Sequence, residues 1–378
     1  MKVLITGGAG FIGSRLAGNL AAQNAEVTVF DNLNPQVHGP AASFPAGLTN
    51  VARCVRADIS DRLALEVALQ GQEVVVHLAA ETGTGQSMYL VEHYGRVNLG
   101  GTTLLMDIIV NQRSSSLRKL VVASSRAVYG EGMYRCIEHH VVFPNARTAQ
   151  AMAAGQFEPV CPHCGRVVAV VPTREETPFA PSSFYGLTKQ MQEQAVLMFG
   201  SALGLDALAL RYQNVYGPGQ SLSNPYTGLL AVFSNLVRAG KGLSIFEDGH
   251  ESRDFVYVDD VVDATAACLD TSVRGVHALN VGSGVRTSVL EVAQAVRRHF
   301  ESDVPVQVTG VYRIGDIRHN AADISRISAL TGFAPRWAFT QGLERFLAWA
   351  QTQSAYDPGF ERSLDELKQR GLMGAVRA

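Results

Sequence analysis

A doubly wound α/β fold, with helices on both faces of a parallel sheet, is what the first two hundred or so residues predict. Three observations carry that expectation. Short β-branched runs alternate with amphipathic helical stretches from residue 2 to residue 211. Gly7, Gly10 and Gly13 form a G-x-x-G-x-x-G turn between the first run and the first helical stretch. Asp31 closes the second run about twenty residues further on, where a nucleotide-binding sheet carries an acid. Together these specify a Rossmann-type doubly wound parallel sheet over residues 1–211, with right-handed crossovers.

Taken in order, residues 2–6 read as a buried strand and 11–22 as the helix after it. Strands follow at 26–30, 51–57 and 73–78, with a helix at 62–69 between the last two. A helix over 94–112 precedes a strand at 119–123, and a long amphipathic helix over 185–203 precedes one at 207–211. Residues 131–172 interrupt this domain as an insertion. Residues 212–355 read as a smaller α/β substrate-binding lobe: a loop at 214–219, a helix at 228–239, strands at 243–246, 253–258 and 278–281, and a helix at 288–300. Some of its segments, such as 253–268, are expected to return to the first domain. Residues 356–378 read as a loosely held tail.

Composition excludes several classes of function. Across 378 residues, 32 basic side chains face 34 acidic ones, a net charge of -2 that offers no footprint for nucleic acid. No apolar run approaches the ~20 residues of a membrane span, and the first residues enter a strand without the pattern of a signal peptide. Five cysteines, an odd number, argue against a disulfide framework. The expectation is a cytoplasmic protein with neither nucleic-acid nor membrane partners.

The glycine turn lets backbone approach a pyrophosphate lying at a helix N-terminus. Asp31 would accept hydrogen bonds from an adenine ribose and repel a 2′-phosphate, so NAD is expected over NADP. Asp58 and Ile59, after the third strand, are placed to meet the adenine; the competing role for Asp58 is a helix N-cap. Tyr185 and Lys189, four apart, share one helical face. A cation held there favours the phenolate and lowers a phenol pKa from about 10.

These pieces extend into an ordered series: Thr6-Gly-Gly-Ala-Gly-Phe-Ile-Gly13, Asp31-Asn32, Asp58-Ile59, His77-Leu-Ala-Ala80, Asn98 through Thr102, Ala123-Ser-Ser-Arg-Ala-Val-Tyr-Gly130, Tyr185-Gly-Leu-Thr-Lys189, Leu210-Arg-Tyr-Gln-Asn-Val-Tyr-Gly-Pro218, Ser252-Arg-Asp-Phe-Val-Tyr-Val-Asp259 and Arg313-Ile-Gly-Asp316. In this the chain resembles the extended short-chain dehydrogenase/reductase family, in particular its NAD-dependent nucleotide-sugar epimerases and dehydratases. The resemblance implies cofactor contacts from Phe11, Ile12, Asn32, Leu78, Ala79, Ala80, Asn98 and Tyr212 besides the residues above. It makes Tyr185 the catalytic base, Lys189 its partner on the nicotinamide ribose, and Ser125 the group that hydrogen-bonds the reacting sugar hydroxyl. Asn214 and Arg253 would hold the pyrophosphate of a nucleotide-sugar substrate, with Arg313 and Asp316 near the nucleoside. A guanidinium suits that task, being permanently charged and bidentate; the alternative for Arg253 is an ion pair with Asp254 or Asp259. Thr82, Gly83, Thr84, Gln86, Ser87 and Arg126 would line the sugar pocket, unless residues 81–87 are a plain glycine linker.

Dehydratases of this family carry an Asp-Glu pair after the catalytic hydroxyl. Arg126 and Ala127 stand there in this chain, and alanine cannot transfer a proton. What remains is epimerisation through transient oxidation at C4, with a 4-ketosugar reductase as the alternative. The 81–87 loop, the serine motif and the insertion look most like the dTDP-L-rhamnose 4-epimerase subfamily. Family resemblance also implies a homodimer paired through the helices at 94–112 and 185–203.

The insertion holds Cys136-Ile-Glu-His139 and Cys161-Pro-His-Cys164-Gly165, two two-spaced pairs about twenty residues apart. This is zinc-ribbon spacing, and four protein ligands (Cys136, His139, Cys161, Cys164) would close a structural zinc site. His140 and His163 are substitute ligands. The insertion is expected to form a lid over the sugar or a dimer contact. Cys54, Cys268 and His77 read as core residues, and so does the aromatic group Phe255, Tyr257, Trp337 and Phe339.

Overall fold

The computed structural model describes residues 1–39, 42–112, 116–222, 224, 228–354 and 360–376. Its centre is a seven-stranded parallel sheet of β1 (Lys2–Thr6), β2 (Glu26–Asp31), β3 (Ala52–Arg56), β4 (Val74–His77), β5 (Lys119–Ser125), β6 (Asp206–Tyr212) and β7 (Val276–Val281). Their spatial order is β7-β6-β5-β4-β1-β2-β3. β1 pairs with β2 on one side and β4 on the other, so the direction of winding reverses there. A crevice at the carboxyl ends of such strands is where this architecture takes ligands.

Every residue of β4 and β5 is buried, as expected for strands covered on both faces. The period of two sorts side chains between two cores. Val3 and Ile5 pack with Leu16 and Leu20 of α1 (Phe11–Ala22). Leu4 points the other way, into a cluster with Leu65 of α2 (Arg62–Leu69), Leu105 of α3 (Gly101–Gln112) and Val196 of α4 (Phe184–Ala202).

Several elements depart from expectation. The helix expected over 94–112 is interrupted: Gly95–Gly100 forms a wide π turn before α3, a form that concentrates at functional sites. The loop expected at 214–219 begins as a strand, Asn214–Tyr216, parallel to Ser252–Tyr257. Only part of 253–268 rejoins the first domain. Ser252–Tyr257 stays in the lobe, paired also with Arg286–Ser288, whereas α5 (Val258–Cys268) packs on α1 and β7 extends the central sheet beside β6.

The tail is a larger correction. Its described part is a helix, Phe360–Gln369, and a strand, Met373–Ala375, antiparallel to Val311–Arg313. Leu367 and Ser363 are buried, and a buried leucine is worth about 1.5–3 kcal/mol. The i, i+3, i+4, i+7 spacing of Phe360, Ser363, Leu364 and Leu367 is the signal that predicts it.

The insertion is a three-stranded sheet, Tyr134–Cys136 between His140–Val142 and Ala169–Val170. It rests on the lobe through Met152, Phe157 and Tyr312. Aromatic packing of Tyr257 on Trp337 and Phe255 on Phe339 is present, with Tyr216 as a further ring in the cluster.

Candidate active site

One cleft of about 850 Å³ runs from the glycine turn to the lobe. At one end Gly7 has φ +68, and an added Cβ would lie 2.7 Å from the Ala79 nitrogen, so only glycine brings the turn this close to the end of β4. Gly10 caps α1 and, with Phe11, Ile12 and Gly13, faces the cleft. Asp31 accepts from the Ala9 and Leu33 amides at 3.0 and 2.8 Å, and His38 Nε2 stands 3.8 Å from it. Asn32, Ile59, Leu78, Ala79, Ala80 and Tyr212 complete this end.

Two expected cofactor contacts lie elsewhere. Asp58 does not line the cleft: it accepts from Asn32 Nδ2 at 2.8 Å and the Ser60 amide at 3.0 Å, and so orients Asn32. Nor is it the helix cap, since Asp61 accepts from the Ala64 amide at the start of α2. Asn98 is buried behind the wall, bonding Glu81 amide and carbonyl at 2.7 and 3.1 Å and Thr188 at 3.0 Å. The π turn aims it there.

The three expected catalytic side chains meet on the floor of the cleft. Ser125 ends β5, and its Oγ accepts from the Ala127 amide at 3.1 Å. Tyr185 lies in the first turn of α4, whose cap Ser183 accepts from the Gly186 amide. Gly186 lets the helix approach: a Cβ would stand 2.5 Å from the Ala127 carbonyl. That contact seats Tyr185 beside Ser125 on the cleft floor, close enough for the serine to act on the phenol. Lys189, one turn on, donates from Nζ to the Ala123 carbonyl at 3.0 Å, 5.9 Å from the Tyr185 ring centroid.

The electrostatics correct one expectation. Enclosure pushes the Tyr185 phenol up, against the neighbouring Ser125 hydroxyl and the Arg126 charge, which act to lower it. Burial also lowers the Lys189 ammonium to about 7. Desolvation disfavours both ions, so without a ligand the lysine does not produce a depressed phenol. His77 is the expected core residue: burial holds it down to about 3, and its nitrogens meet Thr6 and Thr102 hydroxyls at 2.7 and 2.9 Å. Beneath the floor, Glu193 accepts from Ser124 at 2.5 Å and from Arg211 at 2.6 Å, fixing β5, β6 and α4 together.

Toward the lobe the cleft is lined by three arginines, Arg126, Arg253 and Arg313. Arg126 Nε donates to Asn214 Oδ1 at 3.2 Å; enclosure and neighbouring Arg253 lower it to about 10. Arg253 pairs with Asp316 at 2.9 Å, not with Asp254 or Asp259. Asp254 instead accepts from Ser283, Gly284 and Ala322, and Asp259 faces Arg15. Enclosure would raise the Asp316 carboxyl, yet Arg253, Arg313, Arg126 and Arg147 hold it at about 2. Arg313 stacks over Phe246, 4.8 Å from its centroid.

Thr82, Gly83 and Thr84 line the cleft, whereas Gln86 and Ser87 are buried behind it. Ser87 Oγ accepts from the Tyr185 amide at 2.9 Å and so supports the first turn of α4. Sequence reasoning missed Gln36 and His38 near Asp31, Glu251 beside Arg253, and Phe360, Ser363 and Leu367 of the tail helix. Among the described residues, none of 131–172 lines the cleft.

Within the insertion, Cys136, His139, Cys161 and Cys164 place their ligand atoms within 4.8 Å of one another. Cys136 Sγ is 3.7 Å from both Cys164 Sγ and His139 Nδ1, and Cys161 Sγ is 3.6 Å from His139 Nδ1. The edge of a tetrahedron with ~2.3 Å metal–sulfur bonds is ~3.8 Å. Gly165 has φ +71, and His140, at the matching place after the first pair, has φ +55. His140 is therefore the turn residue of its knuckle, leaving His139 to face the thiols. The His139 and Glu138 amides point at Cys136 and help lower its thiol to about 6.

The sequence profile of the NAD dependent epimerase/dehydratase family matches residues 3–153 and 159–282. The chain belongs to that family. The dTDP-L-rhamnose 4-epimerase of Burkholderia thailandensis is 40% identical over 351 residues, covering 92% of this chain and 94% of its own. The UDP-glucose 4-epimerase of Thermotoga maritima, solved with UDP-glucose, matches with a TM-score of 0.75 at 27% identity over 93% of this chain and 99% of that one. The UDP-glucose 4-epimerase of Thermus thermophilus, solved with NAD, matches with a TM-score of 0.73 at 28% identity over 94% and 100% of the two chains. Within the insertion, the family profile is interrupted only at 154–158.

Proposed function

We propose that the protein is an NAD-dependent nucleotide-sugar 4-epimerase acting on dTDP-L-rhamnose or a related dTDP- or UDP-sugar. One observation carries the reading. The Ser125–Tyr185 pair sits between two anion-binding ends of a single cleft, a glycine turn at a helix N-terminus and a group of three arginines. A dinucleotide fits the first end: the glycine turn stands at the N-terminus of α1, where backbone amides suit a phosphate, and Asp31, with its amide bonds to residues 9 and 33, presents a fixed carboxylate to a ribose. When bound, NAD supplies the hydride acceptor and donor for C4.

The chain's own residues do the proton chemistry. Ser125 holds the C4 hydroxyl against the Tyr185 oxygen. Tyr185 takes its proton as the 4-keto sugar forms and returns it after the sugar has turned over. Lys189 orients the nicotinamide ribose. Arg253, Arg126 and Asn214 bind the pyrophosphate, so the sugar's remote charge fixes the reacting carbon near Tyr185. Arg126 and Ala127 offer no acid–base pair for loss of water, which disfavours dehydratase chemistry. The 40% identical relative supports a dTDP-linked deoxysugar over other sugars.

The tetrahedral spacing of Cys136, His139, Cys161 and Cys164 supports a structural zinc. Leu187, Met191 and Met198 form an exposed apolar stripe on α4, and Val110 is exposed on α3; this favours a homodimer through these helices, which sedimentation as a monomer at micromolar concentration would contradict. No described helix is long and apolar enough to cross a membrane, and the five cysteines are unpaired, in keeping with a cytoplasmic enzyme. The deciding experiment incubates purified protein with dTDP-, UDP-, GDP- and CDP-sugars without added cofactor. A C4 epimer forming without net redox is expected with the dTDP- or UDP-sugars; turnover only with added NAD(P)H would favour a ketoreductase.

A further inference from the structure

The insertion contributes nothing to the cleft wall, yet it holds the residues that hold Arg253. Arg253 Nη2 donates to Asp316 Oδ1 at 2.9 Å, and Nη1 donates to the carbonyls of Ser252 and Arg318 at 3.0 and 3.1 Å. Two of these partners belong to the segment after Arg313. Each is tied to the insertion. Arg147 Nη2 donates to the Asp316 carbonyl at 3.0 Å, and the Arg318 amide donates to Glu131 Oε2 at 2.9 Å.

Arg147 and Glu131 are themselves paired at 3.0 Å, with side chains 3% and 2% exposed. Arg147 Nη1 adds a second anchor in the lobe, donating to both Glu247 oxygens at 2.8 Å. One guanidinium thus spans Glu131, Glu247 and the Asp316 backbone. Its planar fork meets all three at once, which a lysine cannot do. A charged pair this enclosed keeps its geometry because water does not compete for its donors.

We infer that Arg147 is a positioning residue for the nucleoside diphosphate: with Glu131 it sets the 316–318 segment that aims Arg253 into the cleft. The insertion then acts as a brace on the substrate's pyrophosphate site, from outside it. A misaimed guanidinium loses bidentate contact, so small displacements weaken binding strongly. This rests on the nucleotide-sugar reading above.

The test compares wild type, Arg147→Lys and Glu131→Gln for dTDP, UDP and NAD affinity, thermal melting and steady-state kinetics. Arg147→Lys should weaken dTDP or UDP binding about tenfold or more and raise KM alike, with kcat within about twofold and NAD affinity unchanged. If Arg147→Lys does not fold, Glu131→Gln, which keeps shape and an acceptor, should show the same selective loss at about three- to tenfold. Wild-type affinity for the diphosphate in a folded variant would overturn the inference. So would parallel losses of diphosphate and NAD binding, the mark of general destabilisation. A wild type that binds NAD but no nucleoside diphosphate would instead sink the functional reading itself.

Discussion

Replacing Lys189 with methionine should stabilise the ligand-free protein while abolishing turnover. Lys189 is 3% exposed and donates to the Ala123 carbonyl, and burial lowers its ammonium from 10.5 to about 7. At about 1.4 kcal/mol per pH unit, that depression corresponds to roughly 5 kcal/mol against holding the charged form in the empty site. Methionine removes this cost but strands the Ala123 carbonyl, which opposes it by about 1–3 kcal/mol. A net gain of ~2–4 kcal/mol is expected below pH 7.

The sign of the pH dependence follows from linkage. The folded pKa lies below the unfolded one, so the unfolded chain binds more protons between about pH 7 and 10.5, and wild-type stability rises with pH across that window. The variant lacks this rise, so its advantage is full below pH 7 and fades toward pH 10. Urea unfolding of dinucleotide-free protein at pH 6, 8 and 9.5 measures the gap. A variant less stable than wild type at pH 6, or a gap that does not change with pH, would refute the reasoning.

Three further outcomes are expected. Tyr185→Phe should lower kcat by about 100-fold or more while leaving dTDP affinity unchanged, because only the ionisable oxygen is lost; near-normal turnover would remove Tyr185 as the base. Asp31→Ala should reduce the preference for NAD over NADP, read by titrating both dinucleotides, and a wild type binding the two equally would show the carboxylate assignment to be wrong. Protein purified without chelators should carry about one zinc per chain, lost in Cys161→Ser with a lower melting temperature; metal analysis finding none would dismiss the site.

The central sheet was legible in the sequence because buried parallel strands are continuous apolar runs, and the glycine turn and Asp31 fall at its carboxyl edge. Ser125, 60 residues before Tyr185, was legible only through the family resemblance, whereas Tyr185 and Lys189 were legible because their four-residue spacing on one helix is local. The cysteine pairs were legible for the same reason, although the choice of His139 over His140 needed the backbone: one of the two must take the positive-φ turn position. Asp58 and Asn98 show the limit, since a residue type in the right loop says nothing about which way its side chain faces.

What only the tertiary structure decided are the contacts between segments far apart in the chain. The pairing of Arg253 with Asp316, the tail helix laid against the 82–85 loop, and the span of Arg147 across Glu131, Glu247 and Asp316 each join residues tens to hundreds apart. The resting charge of Tyr185 and Lys189 belongs with them. Sequence placed a cation beside a phenol and predicted a lowered pKa, but burial raises the phenol and lowers the lysine, and burial is a property of the whole folded chain.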